Sequence, residues 1–296
     1  MSNTFLTARN IATVAATLVG QDLGLGNLVY KDLASEFRPG SGKTVSVRVP
    51  GAVAAQTRNA YDKTSPIVLD ELAEQAIDVT LNDHVYNAVA LSEGDLSLDI
   101  GDFAKQVLAP QTSAIVKAVE ARVAAAMAAT PETVALTYAS ATPARLFTAM
   151  RTQLRDNGVS SETPLYAVVG SRVYGDLLDG PVGTFDADGK VRGIAVHEST
   201  RLSPTEVLTF VKDAFALVVR APEVPQGATF GSSVTDGGFS MRFLRDYDAS
   251  VAADRSVVGA FVAVQALPLV VDREDGTVSL VANGGAVRVD TATTPA

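Results

Sequence analysis

Residues 76–110, "AIDVTLNDHVYNAVALSEGDLSLDIGDFAKQVLAP", change periodicity partway along, and that change sets the fold class. From Ile77 to Leu91 the odd positions read Ile, Val, Leu, Asp, Val, Asn, Val, Leu, so six of eight are apolar. The even face carries Asp78, Thr80, Asn82, His84 and Tyr86. Side chains alternate across a pleated strand, so this pattern predicts one long half-buried β-strand. Past residue 102 the repeat becomes helical. Ile115, Val116, Val119, Val123 and Met127 recur at spacings of three and four, with Ala at many positions between. Pro110 starts the main helical run or kinks it, because an interior Pro removes an amide donor.

Upstream, Val45, Val47 and Val49 alternate with Ser46 and Arg48, a second strand closed by Pro50-Gly51. Between these strands lies an excursion over about residues 51–75, polar at its centre, "TRNAYDKTSP". Compact domains seldom carry so long a connection unless it has its own task. Residues 4–36 read as an extended or partly helical arm, since "NIATVAATLVGQ" has a short helical repeat that glycines interrupt.

Downstream the pattern alternates. "TPARLFTAMRTQLRDNG" is a helix with Pro143 in its first turn and Gly158 at its end. A buried strand "LYAVVG", a short helix "SRVYGDLLDG" and strands at "VRGIAVHES", "VLTFVKD", "FALVVRAP", "FSMRFLRDYD" and "VVGAFVAVQAL" follow. This is an α+β layout. Asp188-Gly189 and Asp275-Gly276 read as tight turns with Gly at positive φ.

The 296 residues suffice for one large domain or two ordinary ones. The chain has no Cys, hence no disulfide or thiolate chemistry, which suits a reducing cytoplasm. No apolar run is long enough to span a membrane, and the N-terminus lacks a secretory-signal pattern. With 33 acidic against 24 basic residues and no Lys/Arg cluster, the chain is a poor general binder of nucleic acid. It remains compatible with enclosing nucleic acid without gripping it.

Catalytic and ligand-binding motifs fail one by one. Gly42-Lys43-Thr44 ends like a P-loop, but Phe37 stands where the first Gly belongs, and a strand rather than a helix follows. "GQDLGLGNL" has glycines in the wrong order for a dinucleotide loop and no preceding strand. In "TFDADGKVRG" a calcium loop with Gly189 at its sixth position would end on Ala195, where a bidentate Glu is needed. His84 and His197 are far apart and read as surface or packed residues. Asp246 and Asp248 read as a solvated strand face or partners of nearby Arg. No catalytic, cofactor or metal residues are assigned, and the chain is expected not to be an enzyme.

Four stretches, in order, carry a resemblance: "NTFLTARNIATVAATLVGQDLGLGNLVYKDLASEF", "KTVSVRVPG", the opening residues 76–110, and "FLRDYDASVAADRSVVGAF". Together they resemble the major capsid protein of tailed bacteriophages, with the Hong Kong 97-type fold, over residues 3–265. The resemblance implies an N-terminal arm (1–42), an extension-loop hairpin (43–91) and a peripheral domain with a spine helix (92–130). It further implies an axial domain (131–230), return strands to the peripheral domain (231–268) and a C-terminal β segment and tail (269–296).

The implied function is self-assembly through hexamers and pentamers into an icosahedral shell around double-stranded DNA. The partners implied are further copies of the chain, a separate scaffolding protein and a portal, with a decoration protein as an additional option and no membrane. The implied location is the virion, after assembly in the host cytoplasm. Gly40, Gly42 and Gly51 at the hairpin roots suit a loop that meets slightly different environments. Arg58, Asp62 and Lys63 at its tip are candidates for charge pairs with a neighbour, each worth about 0–1 kcal/mol. The alternatives are the shell of a cellular nanocompartment with the same fold and a cytosolic α+β enzyme.

Overall fold

The computed structural model describes residues 8–31, 42–49, 53, 55–57, 59–62, 64–67, 69, 74–94, 103–133, 136–228, 230–236, 239–250, 253–272 and 278–292. In chain order the elements begin with α1 (Ala8–Asp22), β1 (Thr44–Val49), β2 (Gln75–Thr80), β3 (Asp83–Ser92) and α2 (Ala109–Ala128). Next come α3 (Ala144–Asp156), β4 (Leu165–Val169), α4 (Ser171–Leu178), β5 (Ala195–Glu198), β6 (Glu206–Val211) and β7 (Phe215–Arg220). The last are β8 (Phe230–Asp236), β9 (Phe239–Asp248), β10 (Ala253–Ala266), β11 (Leu269–Asp272), β12 (Val278–Val281) and β13 (Ala286–Asp290). Contacts divide the chain into two units, one of residues 1–44, 80–129 and 215–265, the other of 45–79, 130–214 and 266–296.

The first unit packs two helices on a five-stranded sheet of order β3-β10-β9-β8, with β7 also paired to β10. The β3–β10, β10–β9 and β9–β8 ladders are antiparallel. α2 buries its expected stripe, Ile115, Val116, Val119, Val123 and Met127. A π-helical turn, Ala104–Leu108, precedes it, and Pro110 lies in its first turn. Pro110 offers no N–H to the carbonyl four residues back, which accounts for the wider turn there.

The helical part of the expected arm is α1. Ala12, Ala15, Ala16 and Val19 of α1 are fully buried. Their 3/4 spacing lays a small-residue face on α2, β8 and β9, and small side chains permit close approach. This part of the N-terminal segment is helical and packs into the core of the first unit.

The single strand expected over 77–91 is two strands. β2 ends at Thr80 and pairs with β1, whereas β3 starts at Asp83 and pairs with β10. Both keep the same parity, with Val79, Val85 and Leu91 buried, so the alternation runs unbroken through the change of partner. β8 was not anticipated at all.

The second unit carries a four-stranded sheet of order β13-β6-β4-β5. Its β4–β5 pair is parallel, and its β13–β6 and β4–β6 pairs are antiparallel. α3 packs on β6 and β13 through Phe147, Met150 and Leu154, all 0% exposed. Pro143 is its N-cap and Asn157 its C-cap, and Gly158 follows with φ +104°. That left-handed backbone is what the Asn-Gly ending anticipates. Gly189 likewise has φ +72°. β11 and β12 form the antiparallel hairpin around Asp275-Gly276, whose turn lies outside the described residues.

Candidate assembly surfaces

The β1–β2 ribbon forms the root of the excursion. Leu81 N donates to Lys43 O at 2.8 Å, and the Thr44 and Thr80 hydroxyls meet at 3.0 Å. Ser46 donates to Asp78, and Arg48 lies 3.5 Å from Glu74 with both side chains exposed. Gly42 at the root has φ +82° and open space where a Cβ would stand. Its glycine therefore answers a backbone requirement, not a packing one. Thr44 opens a strand, so the P-loop remnant has no helix behind it. Gly40 and Gly51 lie outside the described residues.

At the tip, Asn59 and Asp62 build successive side-chain-capped turns. Tyr61 N donates to Asn59 Oδ1 at 2.9 Å, and Asp62 N donates to Asn59 O at 3.0 Å. Asp62 Oδ1 then accepts from Thr64 N at 2.8 Å, Thr64 Oγ1 at 2.9 Å and Ser65 N at 3.2 Å. The Ser65 hydroxyl first, then the Thr64 amide and hydroxyl, hold this carboxyl well below the usual range. Asp62 thus orders its own loop. Arg58 and Lys63, its companions as contact candidates, lie outside the described residues.

The tip is not as polar as its sequence. Val53, Tyr61, Ile67 and Leu69 are 56%, 91%, 76% and 88% exposed, an unusual density of bare apolar side chains on one connection.

In the first unit the sheet and α2 are locked by buried polar groups. Glu120, 5% exposed, accepts from Leu25 N at 3.0 Å and Gly26 N at 2.9 Å. Gln111 donates to Ser256 O at 3.0 Å and accepts from Ser256 Oγ at 2.9 Å, tying α2 to β10. Sequence reasoning missed both, because a Glu or Gln among helical alanines carries no mark of burial. His84 is exposed on β3, with Tyr86 and Phe261 rings 5.2 and 5.1 Å away. Desolvation, then Arg242, pushes its imidazole below the ordinary value. Asp246 pairs with Arg255 at 3.3 Å, and Asp248 accepts from Ser250 N at 3.0 Å. Asp246 thus pairs with an Arg, as expected, whereas Asp248 caps its own turn.

In the second unit, Tyr138 donates to Asp176 Oδ2 at 2.5 Å. Burial first, then this bond, drives the phenol pKa upward. Arg288 bridges Glu206 Oε1 at 2.6 Å and Thr130 O at 2.7 Å. His197 is exposed, on β5. Among the described residues no group of three or more His, Asp or Glu is placed to hold a metal ion. No described helix is long and apolar enough to cross a membrane.

These two units have counterparts among solved structures. A structure from Mycobacterium phage Che8 matches with TM-score 0.59, covering 99% of this chain and 95% of that one at 14% identity. The capsid asymmetric unit of cyanophage A-1(L) matches with TM-score 0.55, at 98% and 94% coverage and 11% identity. The virus-like particle from Pyrococcus furiosus matches with TM-score 0.50, at 94% and 97% coverage and 10% identity. No protein-family model and no curated protein matches the sequence. The chain has the phage-capsid fold, the Hong Kong 97-type α+β architecture expected from its sequence.

Proposed function

We propose that the chain is a major capsid protein: copies join through hexamers and pentamers into an icosahedral shell that encloses double-stranded DNA. The observation that carries the reading is a likeness to a phage capsid structure running over 98% of the chain. The bare apolar side chains on the 51–74 excursion support it, since a shell subunit needs protruding contact surface. The excursion with its ribbon then serves as the extension loop, α2 as the spine helix and residues 131–230 as the axial domain. Residues 231–268 return to the peripheral domain, and 269–296 form a C-terminal segment. Only residues outside 8–31 are left for an arm reaching a neighbour.

In this reading the tip residues Arg58, Asp62 and Lys63 meet an adjacent subunit, and Gly40, Gly42 and Gly51 let the ribbon adjust. The acidic balance suits a wall that holds DNA without phosphate contacts. Scaffold and portal are separate proteins, assembly takes place in the host cytoplasm, and the chain carries out no reaction.

Negative-stain microscopy of the purified chain, with and without a co-expressed scaffold candidate, tests the role. Closed shells or regular rings support it. A monomer in every sample overturns it. The likeness to a virus-like particle favours one second reading, a small compartment filled with protein, and shell diameter and contents separate the two.

A further inference from the structure

We propose that a cationic wall of the second unit, formed by Arg145 and Arg192, receives the Leu178–Asp179 corner of a second copy, joining copies head to tail. This rests on the shell reading and names a contact within it. The wall borders a cavity of about 140 Å³ that Pro143, Pro181, Val182 and Thr184 also line. Arg145 and Arg192 are both exposed, and among the described residues neither guanidinium has an ion-pair partner.

The wall is built in advance. Val191 and Ile194 exchange two backbone hydrogen bonds of 3.0 Å each, enclosing a two-residue turn. Its central residues Arg192 and Gly193 have φ +52° and +75°. Asn-Gly or Gly-Gly is the usual occupant of such a turn, and a long side chain at the left-handed position costs free energy. Here the turn displays an arginine instead, and its surroundings hold it there. Arg151 Nη1 donates to Arg192 O at 2.9 Å, and Gly193 N donates to Asp186 Oδ2 at 2.8 Å. The facing edge is fixed too, with Thr184 Oγ1 donating to Pro181 O at 2.7 Å. A cation whose backbone is already ordered loses little entropy when it binds.

The occupant follows from charge. A second copy offers carboxylates in excess, 33 acidic against 24 basic residues. Asp179 is one of the unfavourably placed ones: it is the C-cap of α4, where the helix dipole disfavours an anion. Its carboxylate is exposed and without a partner among the described residues. Leu178 beside it is 63% exposed, and Val182 on the cavity wall is fully exposed. Docking the corner onto the wall pairs Asp179 with the two arginines and Leu178 with Val182. Donor and acceptor are different patches, so the contact is heterologous and forms a ring where the rotation between copies closes. Asp179 and Val182 are three residues apart, within about 11 Å, which places both patches in one region of the unit.

The test compares four full-length chains: wild type, R145E/R192E, D179R, and the reversed-charge chain carrying all three changes. Mass photometry and negative-stain microscopy at low and high salt read assembly, and circular dichroism melts read folding. The expected result is rings or shells for wild type, their loss in both partial variants with unchanged melts, and recovery in the reversed-charge chain. If R145E/R192E melts early, R145Q/R192Q replaces it, with the same expected loss. Wild-type assembly matched by R145E/R192E overturns this contact and leaves the shell reading standing. Loss in the arginine variant without loss in D179R overturns Asp179 as the occupant. A wild type that never assembles overturns both.

Discussion

Replacing Glu120 tests whether the N-terminal segment belongs to the core of the first unit. The carboxylate is 5% exposed and takes two amide hydrogen bonds, 3.0 Å from Leu25 N and 2.9 Å from Gly26 N. A hydrogen bond to a charged group contributes about 1.5–3 kcal/mol, and an abandoned buried donor costs about 1–3 kcal/mol. E120A orphans both amides, so the local loss is about 3 kcal/mol after water enters the space. At about 1.4 kcal/mol per tenfold, that is about a 100-fold rise in amide exchange at Leu25 and Gly26.

E120Q keeps one acceptor oxygen but turns an NH₂ toward the other amide, so about a tenfold rise is expected. Hydrogen–deuterium exchange read by NMR on the full chain separates these values, with E162A, a change at an exposed Glu of the other unit, as control. If E120A leaves Leu25 and Gly26 within about twofold of wild type, the clasp contributes nothing, and the segment is held by the alanine face of α1 and the Tyr30 backbone bonds.

Breaking the Arg288–Glu206 pair, whose side chains are only 17% and 12% exposed, should cost about 3 kcal/mol in R288A; an unchanged denaturant midpoint would refute its structural role. G158A forces an alanine to φ +104° with its Cβ 2.8 Å from Val271 Cγ1, for a loss of about 2 kcal/mol. Adding V271A removes the clash but not the strain, so the melting temperature should recover only in part. The Asp290 carboxyl lies below its ordinary 3.8 because the Thr205 hydroxyl, then the Ala292 amide, bind the ionised form. Folded below unfolded, it stabilises fully above that ordinary value and loses the contribution as pH falls through the folded value. T205V should therefore be weaker than wild type near neutral pH and converge with it in strong acid; a gap that stays constant with pH would count against the linkage. Deleting residues 53–73 should leave the melt of both units intact and abolish shell closure, and normal shells would sink the extension-loop assignment.

Legibility in the sequence tracks how local each cause is. α3 ends where Asn157-Gly158 says it must, and α2 buries the stripe its spacing marks, because those signals lie within the element itself. The break between β2 and β3 was invisible for the opposite reason. Alternation records which face is buried, not which strand lies alongside, and both segments keep one parity across a change of partner. β8 reads Phe-Gly-Ser-Ser-Val-Thr-Asp, small and polar, and becomes a strand only because β9 pairs with it. The tip residues of the excursion were legible as a loop, whereas the job of Asp62 within it was not. Its Asx-type turn needs Thr64 and Ser65 at the right offsets, a pattern too common to single out.

The glycines of "GQDLGLGNL" show how a motif can fail for one chemistry and serve its physical cousin. As a dinucleotide loop they have the wrong order and no strand before them. Yet Leu25 and Gly26 do present adjacent amides to an anion, and the anion is the chain's own Glu120. A Cβ on Gly26 would lie 3.2 Å from Leu23 Cδ2, 3.3 Å from Leu217 Cδ2 and 3.4 Å from Glu120 Oε1. The missing side chain therefore makes room for the internal carboxylate and its apolar neighbours. Tyr30 N then donates to Phe215 O at 3.0 Å and Tyr30 O accepts from Leu217 N at 2.8 Å, fastening the segment a second time. Here the anion is supplied from within, and both amides are taken by Glu120.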